Sequence, residues 1–120
     1  MSFSMLIVED DEVMRLTLEE YFGQKGCVVY AAAEGGVALE ILEKKLVDIV
    51  LLDLNLPDGS GLEFLQRMKA EDEELIVLIM TAYPDVRNAV RAMKEGAFDY
   101  IIKPFDLDEM DLTLERILEH

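Results

Sequence analysis

A chain of 120 residues with a formal charge of −15 and 52% hydrophobic residues is sized for one globular domain, residues 1–120, with a real core. The charge repels phosphodiester backbones, and the 11 Lys and Arg residues are scattered, so direct nucleic-acid binding by this chain is not expected. No apolar run is long enough to span a bilayer, the opening MSFSMLIVEDD lacks a basic leader, and the lone Cys27 supports neither a disulfide framework nor a cysteine-based zinc site; a soluble, cytoplasmic protein without a membrane partner is expected.

Residues 5–8 (MLIV) read as a first strand that runs into Glu9-Asp10-Asp11. Met14, Leu18, Tyr21 and Phe22 then recur at helical spacing, and Gly26 suits the helix stop. A second strand covers residues 27–31, with Cys27 in its core as free thiols usually are. The third, residues 49–53, ends in Asp53 and is followed by the turn PDGSG; Ser60 with Glu63 fits a capping box for the next helix. The acidic run EDEE at 71–74 reads as solvated surface. Residues 75–80 form a fourth strand leading into Thr81-Ala82. Pro84 suits the first turn of a helix whose Val86, Ala89, Val90 and Met93 make a core-facing stripe, and Gly96 suits its stop. The fifth strand, residues 100–102, closes in Lys103-Pro104. Asp106 with Glu109 fits another capping box, and Met110, Leu114, Ile117 and Leu118 supply the last stripe. The methionines in these stripes read as core filler. His120 is assigned no chemistry, because residues 118–120 read equally as helix end or tag remnant.

Five apolar runs alternating with five helical segments predict an α/β fold, with a parallel sheet covered on both faces. In such a sheet ligands bind beyond the carboxyl ends of the strands. If the first and third strands are neighbours, Glu9 or Asp10 lies close to Asp53, and several anions together require positive charge among them. A hard dication such as Mg2+ and the ammonium of Lys103 meet that requirement. Asp53 taken alone reads more readily as a helix cap or a loop aspartate, but that reading leaves the other three strand ends unexplained. A calcium loop starting at Asp53 fails on register, with Pro57 at its fifth position and Asp58 where the turn glycine belongs. A carboxylate cluster, the Thr81 hydroxyl and a lysine at the ends of four parallel strands together suit a carboxylate nucleophile that accepts a phosphoryl group.

LIVEDDEVMR, DIVLLDLNLPDGSGLEFL, VLIMTAY and GAFDYIIKPF, in this order over essentially the whole chain, resemble the receiver domains of two-component response regulators. The resemblance implies a flavodoxin-like (βα)5 fold with a five-stranded parallel sheet of order 2-1-3-4-5. It implies Asp53 as phosphoacceptor, Asp10 as direct magnesium ligand, Glu9 acting through water, and the Asn55 backbone carbonyl completing the protein's share of the shell, with Mn2+ able to substitute. It also implies Thr81 as switch hydroxyl, Lys103 as partner of the phosphoryl group, Tyr100 as the aromatic that turns inward as Thr81 moves, and a cis Lys103-Pro104 peptide bond. Ala82 leaves the site open to a donor, and Asn55 and Tyr83 occupy positions that tune dephosphorylation. The acidic pair Glu9-Asp10 departs from the commoner two aspartates. The implied partners are a sensor histidine kinase, an output domain or downstream protein, and a second copy in a phosphorylation-dependent homodimer. GAFDYIIKPFDLDEM looks most like receivers that precede a sigma-54 activator ATPase. The alternatives are an aspartyl-nucleophile phosphatase, which wants an acid where Asn55 stands, and a flavodoxin-like cofactor protein, which wants glycines where EDDE stands.

Overall fold

The computed structural model describes residues 3–118; His120 lies outside them. Five strands, β1 (Ser4–Val8), β2 (Val28–Ala32), β3 (Ile49–Asp53), β4 (Ile76–Thr81) and β5 (Asp99–Ile102), form one parallel sheet of order β2-β1-β3-β4-β5. The helices are α1 (Glu12–Gln24), α2 (Gly35–Lys44), α3 (Gly61–Glu71), α4 (Val86–Lys94) and α5 (Leu107–Leu118). This is the flavodoxin-like order, with strand boundaries within one residue of those read from the sequence. A further antiparallel ladder of two residues on each side, Asn55–Leu56 with Gly59–Ser60, lies in the loop between β3 and α3.

Apart from Ser4, Asp53 and Thr81 at their ends, the central strands are apolar at every position because both faces are covered. Leu6, Val50, Leu52, Val77 and Ile79 enter one core with Leu65 of α3 and Ala92 of α4. Their neighbours Met5, Ile7, Ile49, Leu51 and Leu78 enter the other, with Phe22 of α1 and Leu114 of α5. Cys27 is buried in that second core just before β2, and burial pushes its thiol pKa up.

Helix ends follow local chemistry. Gly26 and Gly96, at φ 92° and 102°, sit just past the caps of α1 and α4 in a conformation that costs a side chain energy. Ser60 caps α3 by accepting from the Leu62 N–H. At the start of α5 it is the Asp106 carbonyl that accepts, from the Glu109 and Met110 N–H groups.

Three expectations are corrected. Pro84 precedes α4 instead of lying in its first turn: Asp85 is the N-cap, its side chain accepting from the Arg87 N–H at 2.8 Å. The stripe on α4 faces outward, with Val86 80%, Val90 49% and Met93 47% exposed, and the helix is seated on the sheet through the smaller Ala92. Met93 is therefore not core filler, whereas Met110 is fully buried. On α5, Met110, Leu114 and Ile117 are buried but Leu118 is half exposed.

Candidate functional site

Strand register assembles the polar groups. Val8 of β1 pairs with Leu52 of β3, so Glu9 emerges level with Asp53. Asp53 pairs with Met80 of β4, which places Thr81 one step beyond it. Thr81 pairs with Ile102 of β5, so Lys103 follows directly, its N–H donating to the Thr81 carbonyl at 2.7 Å. Residues from four strands thus meet at one end of the sheet, and the Lys103-Pro104 peptide bond there is cis.

Asp53 is buried, at 5% exposure, and both its oxygens are engaged. Oδ1 accepts from the Asn55 N–H at 3.0 Å, and Oδ2 faces the Lys103 ammonium at 3.1 Å. Glu9 is fully buried; Oε1 pairs with Lys103 and Oε2 accepts from the Asp11 N–H at 3.2 Å. Asp10 is exposed at the mouth. Glu9, Asp10 and Asp53 each place a carboxylate oxygen so that all lie within 4.8 Å of one another.

Burial, reinforced by the hydrogen bond and charge of Asp53 and opposed by Lys103, raises the Glu9 carboxyl from about 4.5 to about 7. Burial pulls the Lys103 ammonium down, but Glu9 and Asp53 together outweigh it and hold its pKa above the usual value. One lysine among three acids leaves an excess of negative charge, which is the donor set for a hard cation. Oxygens sharing a magnesium ion at about 2.1 Å each stand at most about 4.2 Å apart, so a spread bounded by 4.8 Å fits with a small closure or an intervening water.

Thr81 is fully buried, and its Oγ1 accepts from the Tyr83 N–H at 3.0 Å; the hydroxyl keeps its own proton to donate. Tyr83 and Ala82 are exposed beside it. Tyr100 stands opposite Ile79, half-buried against the α3 and α4 side of the core, with its hydroxyl enclosed and without a hydrogen-bond partner among the described residues. The Asn55 side chain is not drawn in; this exposed residue reaches the site through its backbone.

Two contributors escaped the sequence reading. Arg15, the sole cation between residues 9 and 24, turns back from α1 to donate to the carbonyls of Glu9 at 2.9 Å and Asp10 at 3.4 Å. Its isolation within an acidic run was the available signal. Gly61 opens α3 against the backbone at the end of β3: a Cβ there would lie 2.4 Å from the Asp53 carbonyl oxygen and 2.7 Å from the Leu54 Cα. The second glycine of PDGSG is therefore a close-approach residue as well as a turn residue.

A doubly wound sheet with a buried carboxylate, a lysine and an acidic cluster gathers its charged groups at the carboxyl end, where ligands of such sheets bind. The family described as the response regulator receiver domain matches residues 5–115, and the chain belongs to that family. It is 39% identical to sporulation initiation phosphotransferase F of Bacillus subtilis, over 98% of this chain and 95% of that protein. It is also 39% identical to the regulatory protein AtoC of Escherichia coli and to the DNA-binding transcriptional regulator NtrC of the same organism, over 96% and 95% of this chain. The chain spans about a quarter of the length of those two relatives. Among solved structures, a CheY-like receiver domain protein from Methanospirillum hungatei superposes with a TM-score of 0.95 at 26% identity, covering 99% of this chain and 95% of that one. The non-phosphorylated HemR receiver domain from Leptospira biflexa gives 0.92 at 33%, covering 98% and 94%.

Receiver domains are phosphoacceptors with weak autophosphatase activity, bind Mg2+ at an acidic pocket, and work with histidine kinases and output domains in two-component signalling. The receiver reading therefore replaces the phosphatase and cofactor-carrier alternatives. No helix among the described residues is long and apolar enough to cross a membrane.

Proposed function

We propose that residues 1–120 act as one phosphorylation-controlled cytoplasmic switch with Asp53 as phosphoacceptor. The observation that carries this reading is the Asp53 carboxylate itself, buried at a strand end with one oxygen on the Asn55 N–H and the other on Lys103. A phosphohistidine on a sensor histidine kinase is the donor. An Asp53 oxygen attacks phosphorus and the phosphorus–nitrogen bond breaks; the imidazole keeps the electron pair and takes up a proton. Water later cleaves the acyl phosphate, restoring Asp53 and releasing inorganic phosphate. These two steps, self-phosphorylation and slow autodephosphorylation, are the only catalysis assigned.

Glu9, Asp10, Asp53 and the Asn55 backbone carbonyl are the residues to hold Mg2+, or Mn2+ in its place, with Glu9 acting through water. When bound, the ion neutralises oxygens of the transferring group. Lys103 pairs with the phosphoryl oxygens and the Thr81 O–H donates to one of them. Movement of Thr81 toward the phosphoryl group alters the packing of Tyr100 and with it the face formed by α4, β5 and α5. The exposed Val86, Val90 and Met93 of α4 and Ile102 of β5 supply apolar contact area there for a homodimer, an output domain or a downstream protein. Control of transcription is the output, in a regulator of the sigma-54 activator type.

The test is intact mass after incubation with acetyl phosphate and Mg2+. The parent chain gains one phosphoryl group only with the metal present, and Asp53→Asn gains none. A variant that still gains the group moves the acceptor elsewhere.

A further inference from the structure

Helix α2 does not cap itself. Its N-cap residue, Glu34, makes no side-chain capping bond. The free N–H groups are met instead by Asp58, from the loop that follows the acceptor: Oδ1 accepts from Gly35 at 2.9 Å and Oδ2 from Gly36 at 2.8 Å. These amides hold the Asp58 carboxyl below its usual pKa range. Two bonds from one carboxylate fix its rotation as well as its distance.

The contact is shaped on both sides. A Cβ on Gly36 would lie 3.3 Å from Asp58 Oδ2, and a Cβ on Gly35 would fall 2.2 Å from the ring of Phe64. The start of α2 therefore rests on α3 and on the acceptor loop together. That loop has little rigidity of its own. Its ladder is two residues long on each strand, and a lone two-stranded pair is marginal in water. It is closed at the base by the Gly61 N–H on the Leu54 carbonyl at 2.6 Å, and Asn55, three residues before Asp58, donates its N–H to Asp53 Oδ1.

We infer that Asp58 is a positioning residue: by clamping the loop to the N-terminus of α2 it fixes the Asn55 amide and carbonyl, and through them the acceptor carboxylate and the metal shell. The consequence for metal binding rests on the proposed roles of Asp53 and Asn55, whereas the clamp itself is read without metal. Amide exchange is measured by NMR on the metal-free chain for the parent, Asp58→Ala and Asp58→Asn, followed by Mg2+ titration calorimetry on each. Asp58→Ala is expected to speed exchange at Gly35, Gly36 and Asn55, and to weaken Mg2+ binding about tenfold, the usual scale for groups that orient metal ligands. Asp58→Asn, which retains one accepting oxygen, falls between. Faster exchange at Gly35 and Gly36 with Asn55 unchanged overturns the inference and leaves Asp58 as a helix cap alone, as does an unchanged Mg2+ affinity. A parent chain that binds no Mg2+ overturns the acceptor-site reading instead, and the Asn55 amide still decides the clamp.

Discussion

The Glu9 carboxylate and the Lys103 ammonium form a buried ion pair although their strands, β1 and β5, are separated in the sheet by both β3 and β4. Two long side chains close over the strand ends between them, and Asp53 lies beneath the same ammonium. Lys103 is shared, so it does not fully compensate either acid, and burial leaves the Glu9 carboxyl at about 7. Between about pH 4.5 and 7 the native chain then keeps a proton that the unfolded chain has released. The contribution of Glu9 to stability therefore falls as pH rises through that window. In urea unfolding without metal, Glu9→Gln is expected to be the more stable chain at pH 8 and to show a flatter pH dependence than the parent from pH 5 to 8. Equal slopes would assign the titration to another group. Because a bound cation competes with the same proton, Mg2+ affinity of the parent should rise over this range.

Gly61 has no room for a methyl group. The obstructing atoms are the backbone of Asp53 and Leu54, which cannot swing aside as a flexible side chain would. Gly61→Ala must push the start of α3 away from β3 and stretch the closing bond to the Leu54 carbonyl. A cost of about 1–3 kcal/mol is expected, the range for overpacking, together with slower phosphorylation by acetyl phosphate. Chemical denaturation and initial rates by mass spectrometry read the two effects. A variant with parental stability would mean that the loop yields freely.

Much of the site was legible because it is a matter of where strands stop. Asp53, Thr81 and Lys103 each terminate or follow an apolar run, and parallel register carries them to one edge without further information. Side chains that act across long sequence distances were not legible. Asp58 meets α2 over 22 and 23 residues, and nothing local to PDGSG distinguishes its carboxylate from any turn aspartate. The α4 stripe shows a second limit: periodicity reports that a helix has an apolar side, not which surface that side meets, and the small Ala92 was available to seat the helix on the sheet.

The Tyr100 hydroxyl is enclosed and has no hydrogen-bond partner among the described residues. A buried hydroxyl that has given up water without a replacement costs on the order of 1–3 kcal/mol. Tyr100→Phe is expected to leave folding stability unchanged or raise it by about 1 kcal/mol, without reducing phosphoryl uptake by Asp53. The response carried by the α4, β5 and α5 face should weaken, as judged by a loss of phosphorylation-dependent association. Destabilisation by more than about 1 kcal/mol would show that the hydroxyl has a partner in solution, such as a bound water.

The two sides of α4 separate folding from output. Val90 is half exposed, so Val90→Glu removes little buried area and is expected to change stability by less than about 0.5 kcal/mol. Ala92 is fully buried and belongs to the core beside Leu65 and Ile79, so Ala92→Leu forces three extra carbons into a packed layer and should cost about 1–3 kcal/mol. Neither position touches the carboxylate cluster, so both variants, where folded, should still take a phosphoryl group on Asp53. If the outward stripe is a contact surface, Val90→Glu abolishes association of the phosphorylated chain while leaving its melting temperature intact. The opposite result, with Val90→Glu unfolding the protein and Ala92→Leu neutral, would return the stripe to the core and move the docking surface off α4.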